Sequence, residues 1–155
     1  MRSISRNHPA NPFPTRRRPV GQGKARSPSD IARALPLVRA IVGTIRATAK
    51  ELEDTVRQAE DCSDRLDQMG PLLDKESYLL DLADEVQRLQ SDLVAQAHEI
   101  EELGGFLVDP TSGGVDFDSQ LGGQPVNLCW LPEEAAICQF HSTDETCGSR
   151  RALPQ

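Results

Sequence analysis

Four side chains able to hold a soft metal ion fall within nineteen residues: Cys129, Cys138, His141 and Cys147. Zinc takes four such groups in a tetrahedron, usually from one or two closely spaced pairs. Cys138 and His141 form one such pair, but Cys129 and Cys147 lie eighteen apart and do not supply the second. On a single strand Cys138 and His141 would also face opposite ways unless the strand ended or bulged between them. Against a metal stands the ordinary behaviour of free cysteine as a small buried hydrophobe, with Cys129 and Cys138 on facing strands. No metal is therefore assigned, and these four residues stand as zinc candidates. A disulfide between Cys129 and Cys138 is geometrically conceivable, but a chain without an export signal is expected to keep its thiols reduced.

The same stretch offers two other chemistries. Cys129 and His141 could form a nucleophile–base pair oriented by Asp144 or Asp116, yet no glycine-rich oxyanion turn flanks Cys129. Trp130, His141 and Arg150 could line a small anion or peptide pocket, or anchor an interface. The competing reading makes Trp130 the core ring of a sheet and His141 a strand-end cap, with Arg150 paired to Glu133 or Glu134. His8 and His98 have no neighbours that suggest a site. The chain contains no GxxxxGK[ST], GxGxxG or HExxH pattern, so nucleotide and metalloprotease readings have no support. No catalytic residue and no cofactor is assigned, and the reading favours interaction over catalysis.

The elements that must position these residues are read from spacing. Ile31, Leu35, Val38, Val42, Ile45, Ala49, Leu52, Val56, Ala59 and Leu66 recur every three or four residues. So do Leu79, Leu82, Val86, Leu89, Leu93, Gln96, Ile100 and Leu103. Such repeats place each set on one narrow helical stripe. Ser29 and Asp30 offer N-cap oxygens, and Pro36 is expected to break or kink the first helix near Leu35. A long helix then runs from Pro36 to about Gln68. Gly70 and Pro71 interrupt it, and a second helix runs to Leu103 before Gly104 and Gly105. The short connection makes the two antiparallel neighbours. Leu80, Ala83, Val94 and Ala97 on the second helix, with Ala34 and Ile41 on the first, lie off the seam and require another cover: the C-terminal segment, another subunit, or both.

From residue 106 the period changes to two. Gly114 to Phe117, Val126 to Trp130 and Ala136 to His141 read as short strands, with a turn at Gly122 and Gly123. The expected fold is mainly α: a long antiparallel helical hairpin, coiled-coil-like, with a small C-terminal antiparallel sheet of two or three strands over one end. Three segments follow: a basic Pro- and Arg-rich tail at 1–28, the hairpin at 29–103 and the sheet segment at 104–155.

Charge divides the chain. Residues 1–28 carry seven basic residues, five prolines and no acid. The rest holds 10 basic and 24 acidic residues, and the whole has a net charge of −7. The tail is expected to be disordered and able to make weak nucleic-acid contacts, whereas the acidic body does not invite them. No apolar run spans a membrane, and a cytoplasmic protein is expected. The uncovered helical stripe implies a homo-oligomer or a helical protein partner.

The run DIARALPLVRAIV at residues 30–42 resembles the opening helix of the bacterial domain of unknown function 2203 family, where the pattern is ANxLLPLVRxIV. The C-terminal part is similar to that family as well. Gly114, Val115, Asp116 and Phe117 match its GLVDFP; Leu128, Cys129 and Trp130 its LCW; Phe140 and His141 its WH; and Arg150 a late Gly-Arg. The resemblance covers about residues 29–153. It departs at Phe140, where the family has Trp, and at Cys147, where the family tends to have Phe. Residues 25–29 also replace the family's FT lead. The resemblance implies a shared fold and no activity.

Overall fold

A computed structural model describes residues 24–69 and 73–154, with backbone alone at 66–69, 73 and 74. Most of the basic tail and the Gly70 and Pro71 interruption lie outside these residues. The first helix, α1, spans Pro28–Met69 without a break. Its start is capped by Ser27, two to three residues before the Ser29 and Asp30 caps expected. The Asp30 amide donates to Ser27 Oγ (3.1 Å), and that hydroxyl donates to Asp30 Oδ2 (2.8 Å). Pro28 then occupies the first helical position, where its missing N–H costs nothing. Pro36 does not interrupt α1. Its ring and Ala32, whose carbonyl it deprives of a donor, are both exposed, so water can serve that carbonyl. On the opposite side Ile31, Leu35 and Val38 are buried and hold the helix in register.

The second helix, α2, spans Leu73–Glu102 and packs antiparallel to α1. Gly104 ends it in the left-handed region (φ 84°), its amide donating to the Glu101 carbonyl at 2.9 Å. Leu82 and Leu89 are buried along the seam, as is Thr55. Closer to the sheet, Gln96 Nε2 donates to Thr48 Oγ1 (3.2 Å), while Gln96 Oε1 is buried without a partner.

Five strands follow: β1 Gly105–Asp109, β2 Gly114–Leu121, β3 Gln124–Trp130, β4 Gln139–Ser142 and β5 Arg151–Ala152. They form one antiparallel sheet in chain order. The expectation of a mainly α chain with a small two- or three-stranded sheet is thereby corrected. Two helices carry a five-stranded antiparallel sheet. The apolar run of β1 is only Phe106, Leu107 and Val108, too short to reveal a period, and it begins directly after the helix cap. β2 runs on through Asp118, Ser119 and Gln120 because the edge is satisfied: Ser119 Oγ donates to the Arg26 carbonyl, and the Arg26 amide to that of Asp118, both at 2.9 Å. β5 is two residues long and is held from outside, by the Leu153 amide on the Cys138 carbonyl (2.9 Å).

The core lies between the sheet and the adjoining half of the hairpin. Ile31, Leu35, Val38, Val42 and Ile45 of α1 and Leu93 and Ile100 of α2 meet Leu107, Val115, Phe117, Val126, Leu128 and Trp130. The sheet also takes up part of the second apolar stripe, since Ala34, Ile41 and Ala97 pack against this core. Leu80 and Val94 stay outside it, 67% and 55% exposed. Among the described residues no helix is long and apolar enough to cross a membrane.

Candidate functional site

Strand register decides which polar groups meet. Gly122 and Gly123, with φ of 56° and 78°, make a two-residue turn between β2 and β3. Counting back from Leu121 opposite Gln124 sets Asp116 opposite Cys129. Across the next ladder, Cys129 pairs with Gln139 and Asn127 with His141. Side chains alternate along a strand, so Asp116, Cys129 and His141 share the outer face of the sheet. Val115, Phe117, Leu128 and Trp130 occupy the inner one. A single 3-10 turn, Cys147–Ser149, lies beside β4 and brings Cys147 over the outer face.

The four groups form one nest. The donor atoms of Asp116, Cys129, His141 and Cys147 all lie within 4.8 Å of one another. Cys129 is fully buried and is joined to Cys147 by a disulfide, the two Cα atoms 6.4 Å apart. Cys147 Sγ lies 3.3 Å from Asp116 Oδ1 and 3.9 Å from His141 Nε2. In the reduced state its thiol is placed to donate to that carboxylate.

His141 is 1% exposed and held at both ring nitrogens. Nδ1 lies 2.9 Å from the Ser142 carbonyl, which can only accept, so Nδ1 carries a proton. Nε2 lies 3.0 Å from Asp116 Oδ2. That carboxylate raises the imidazole pKa above its ordinary value. Burial opposes the rise, while the Ser142 carbonyl and the charges of Asp116 and Glu145 add to it. An imidazolium facing a carboxylate is the favoured pairing of this cluster.

The remaining candidates are placed elsewhere. Cys138 is exposed, immediately before β4, and is free, as is half-buried Cys62 of α1. Trp130 is fully buried on the inner face, with Nε1 donating to the Glu134 carbonyl (3.0 Å). Arg39 of α1 stacks 5.1 Å from its ring centroid and donates to the carbonyls of Pro132, Glu134 and Ala135. Arg150 is bound to Glu134 Oε1 at 2.7 Å, and Glu134 Oε2 accepts from the Leu131 amide at 2.9 Å. Trp130 and His141 thus lie on opposite faces of the sheet and do not line one cleft. His98 is exposed on α2 beside Glu101, and Asp144 is exposed as well.

Asp116 is the donor missing from the zinc set read in the sequence, and Cys138 does not join it. The signal for Asp116 was available: a two-residue turn at Gly122 and Gly123 fixes the register, and equal counts outward reach Asp116 and Cys129. The geometry does not suit a cysteine nucleophile. In a catalytic triad the carboxylate orients one ring nitrogen while the nucleophile faces the other. Here Asp116 and Cys147 both lie at Nε2, and a backbone carbonyl takes Nδ1. What the cluster offers is four donors converging on one point.

A family model described as "Uncharacterized conserved protein (DUF2203)" matches residues 27–153, which include both helices, the sheet and the cluster. No curated protein and no solved structure matches the chain.

Proposed function

The chain belongs to the DUF2203 family, and we propose that it is a metal-binding protein that holds a zinc-class ion between Asp116, Cys129, His141 and Cys147. One observation carries this reading: four donor atoms from β2, β3, β4 and the turn after β4 come within 4.8 Å of one another. Two sulfurs, one imidazole nitrogen and one carboxylate oxygen make a borderline-soft set that suits zinc over calcium or magnesium. Zinc–ligand bonds of about 2.0–2.3 Å put tetrahedral donors roughly 3.3–3.8 Å apart, so reduction of the Cys129–Cys147 bond and side-chain adjustment separate the nest from a closed site. The other contact of the histidine ring supports it too. Ligating histidines usually donate their other N–H to a carbonyl or carboxylate, as His141 Nδ1 does to Ser142. The ion would take the place of the Nε2 proton.

Four protein ligands leave no open position for a substrate. The ion therefore has a structural role: it fastens the segment carrying Cys147 to the centre of the sheet. Thiolate ligation requires the reduced pair, which suits a reducing compartment such as the cytoplasm. The test is elemental analysis of reduced full-length protein after zinc incubation and gel filtration. One zinc per chain is expected, retained in Cys138→Ser and lost in Cys129→Ser and Cys147→Ser. Folded, reduced protein that emerges without zinc defeats the reading.

Assembly through the hairpin is a second reading, favoured by the exposure of Leu80 and Val94 on α2. Light scattering at micromolar concentration tests it, and a strict monomer counts against self-association.

A further inference from the structure

We infer that the site is redox-gated: a peroxide-class oxidant couples the two thiolates into the Cys129–Cys147 disulfide and thereby expels the ion. This rests on the metal-binding reading above. The argument is that the same two sulfurs serve two incompatible arrangements. They are half of the converging donor set, and they are also joined to each other. A sulfur engaged in a disulfide has no thiolate lone pair comparable to that of a free ligand, and the thiolate is the metal-binding form. Two bonded sulfurs also lie far closer together than two corners of a zinc tetrahedron. Closing the bond leaves Asp116 and His141 as the remaining donors, and these already face each other at 3.0 Å. A zinc ion with half its ligands gone, including both sulfurs, leaves for water.

The position of the pair supports the same conclusion. Cys129 is fully buried in a central strand, whereas Cys147 sits half-buried on the covering turn. An oxidant arriving from solvent therefore meets the Cys147 sulfur first. In a balanced step, peroxide oxidises the Cys147 thiolate to a sulfenic acid and one water leaves. The Cys129 thiolate then attacks that sulfur, the S–S bond forms, and hydroxide leaves and is protonated to a second water. Overall two thiolates give up two electrons, hydrogen peroxide takes up those electrons and two protons, and the ion departs hydrated. A dithiol reductant reverses the change by exchange, becoming a disulfide itself and returning both sulfurs to thiols.

The experiment uses full-length Cys62→Ser/Cys138→Ser protein, which removes the bystander thiols outside the cluster. Reduced protein is loaded with zinc and cleared of excess. It is then treated with a modest excess of hydrogen peroxide in the presence of a zinc-sensing dye, and peptide mapping follows the linkage. The expected result is one zinc released per disulfide formed, in step, and rebinding after dithiothreitol and zinc are added. Zinc that stays bound with both thiols unlinked, under a dose that links the zinc-free reduced protein, overturns the gating but leaves the metal site standing. Reduced protein that takes up no zinc overturns the function and the gating together. Complete linkage with zinc still at one per chain also overturns both, because the ion must then lie elsewhere.

Discussion

The two faces of the sheet are held by different physics. On the inner face Val115, Phe117, Leu128 and Trp130 are fully buried against the helices. Their contribution scales with apolar area removed from water and does not depend on redox state or ions. On the outer face Asp116, Cys129, His141 and Cys147 are held by a covalent bond and the His141–Asp116 contact or, in our proposal for the reduced protein, by a metal ion. That side is conditional. One sheet therefore joins a permanent contact to a switchable one, and the difference predicts how each should respond to change.

The largest effect belongs to the inner face. Trp130→Ala should cost about 3–5 kcal/mol, from lost burial and the cavity it leaves. The loss, read as a urea midpoint, should be alike in oxidised and reduced protein; a loss confined to one state would break the comparison. Next comes the outer face in metal-free protein. Reduction of a cross-link spanning eighteen positions should cost about 3 kcal/mol on the loop-entropy estimate. An unchanged urea midpoint with and without reductant would show that the covering segment contributes little. Zinc at about a hundred times its dissociation constant should then restore about 2.7 kcal/mol to the reduced protein. Calorimetry in which zinc leaves the reduced melting temperature unmoved would count against an ion that binds only the native fold.

Smaller effects come from groups that serve neither face. Gln96→Leu removes a buried carbonyl oxygen that has no partner, while Thr48 Oγ1 keeps its bond to the Thr44 carbonyl. A gain of about 1 kcal/mol is expected in thermal unfolding, and a loss would mean that the Gln96–Thr48 rung outweighs the orphaned oxygen. Arg88→Ala should leave the urea midpoint where it is, although Arg88 contacts both Glu85 and Asp92, because exposed ion pairs contribute little.

Part of this molecule could be read from its sequence. The helical stripes are legible because burial on one side imposes the spacing of Ile31, Leu35, Val38 and Val42, and of Leu93 and Ile100. The placement of Pro36 inside α1 was not, because a proline is tolerated when its deprived carbonyl faces water, and that depends on the sheet beneath. Strands β1 and β5 were hidden by shortness. A two-residue strand such as β5 has no pattern of its own; its neighbours make it. The site was half visible. Cys129, His141 and Cys147 announce themselves as metal-ligand types, while Asp116 looks like any outward-facing strand acid until register sets it against Cys129. The spacing of Cys138 from His141 has the form of a ligand pair, but it counts for nothing because β4 begins one residue after Cys138, at Gln139.

Arg39 gives the hairpin a mechanical role. It grips carbonyls more than ninety positions along the chain, on the connection that ends where β4 begins. A tilt of α1 must drag that connection, and with it the strand bearing His141. The forty-two-residue helix is in effect a lever bearing on the inner face of the sheet, opposite the sulfur cluster, and Arg39 is where it takes hold of the chain that leads into β4.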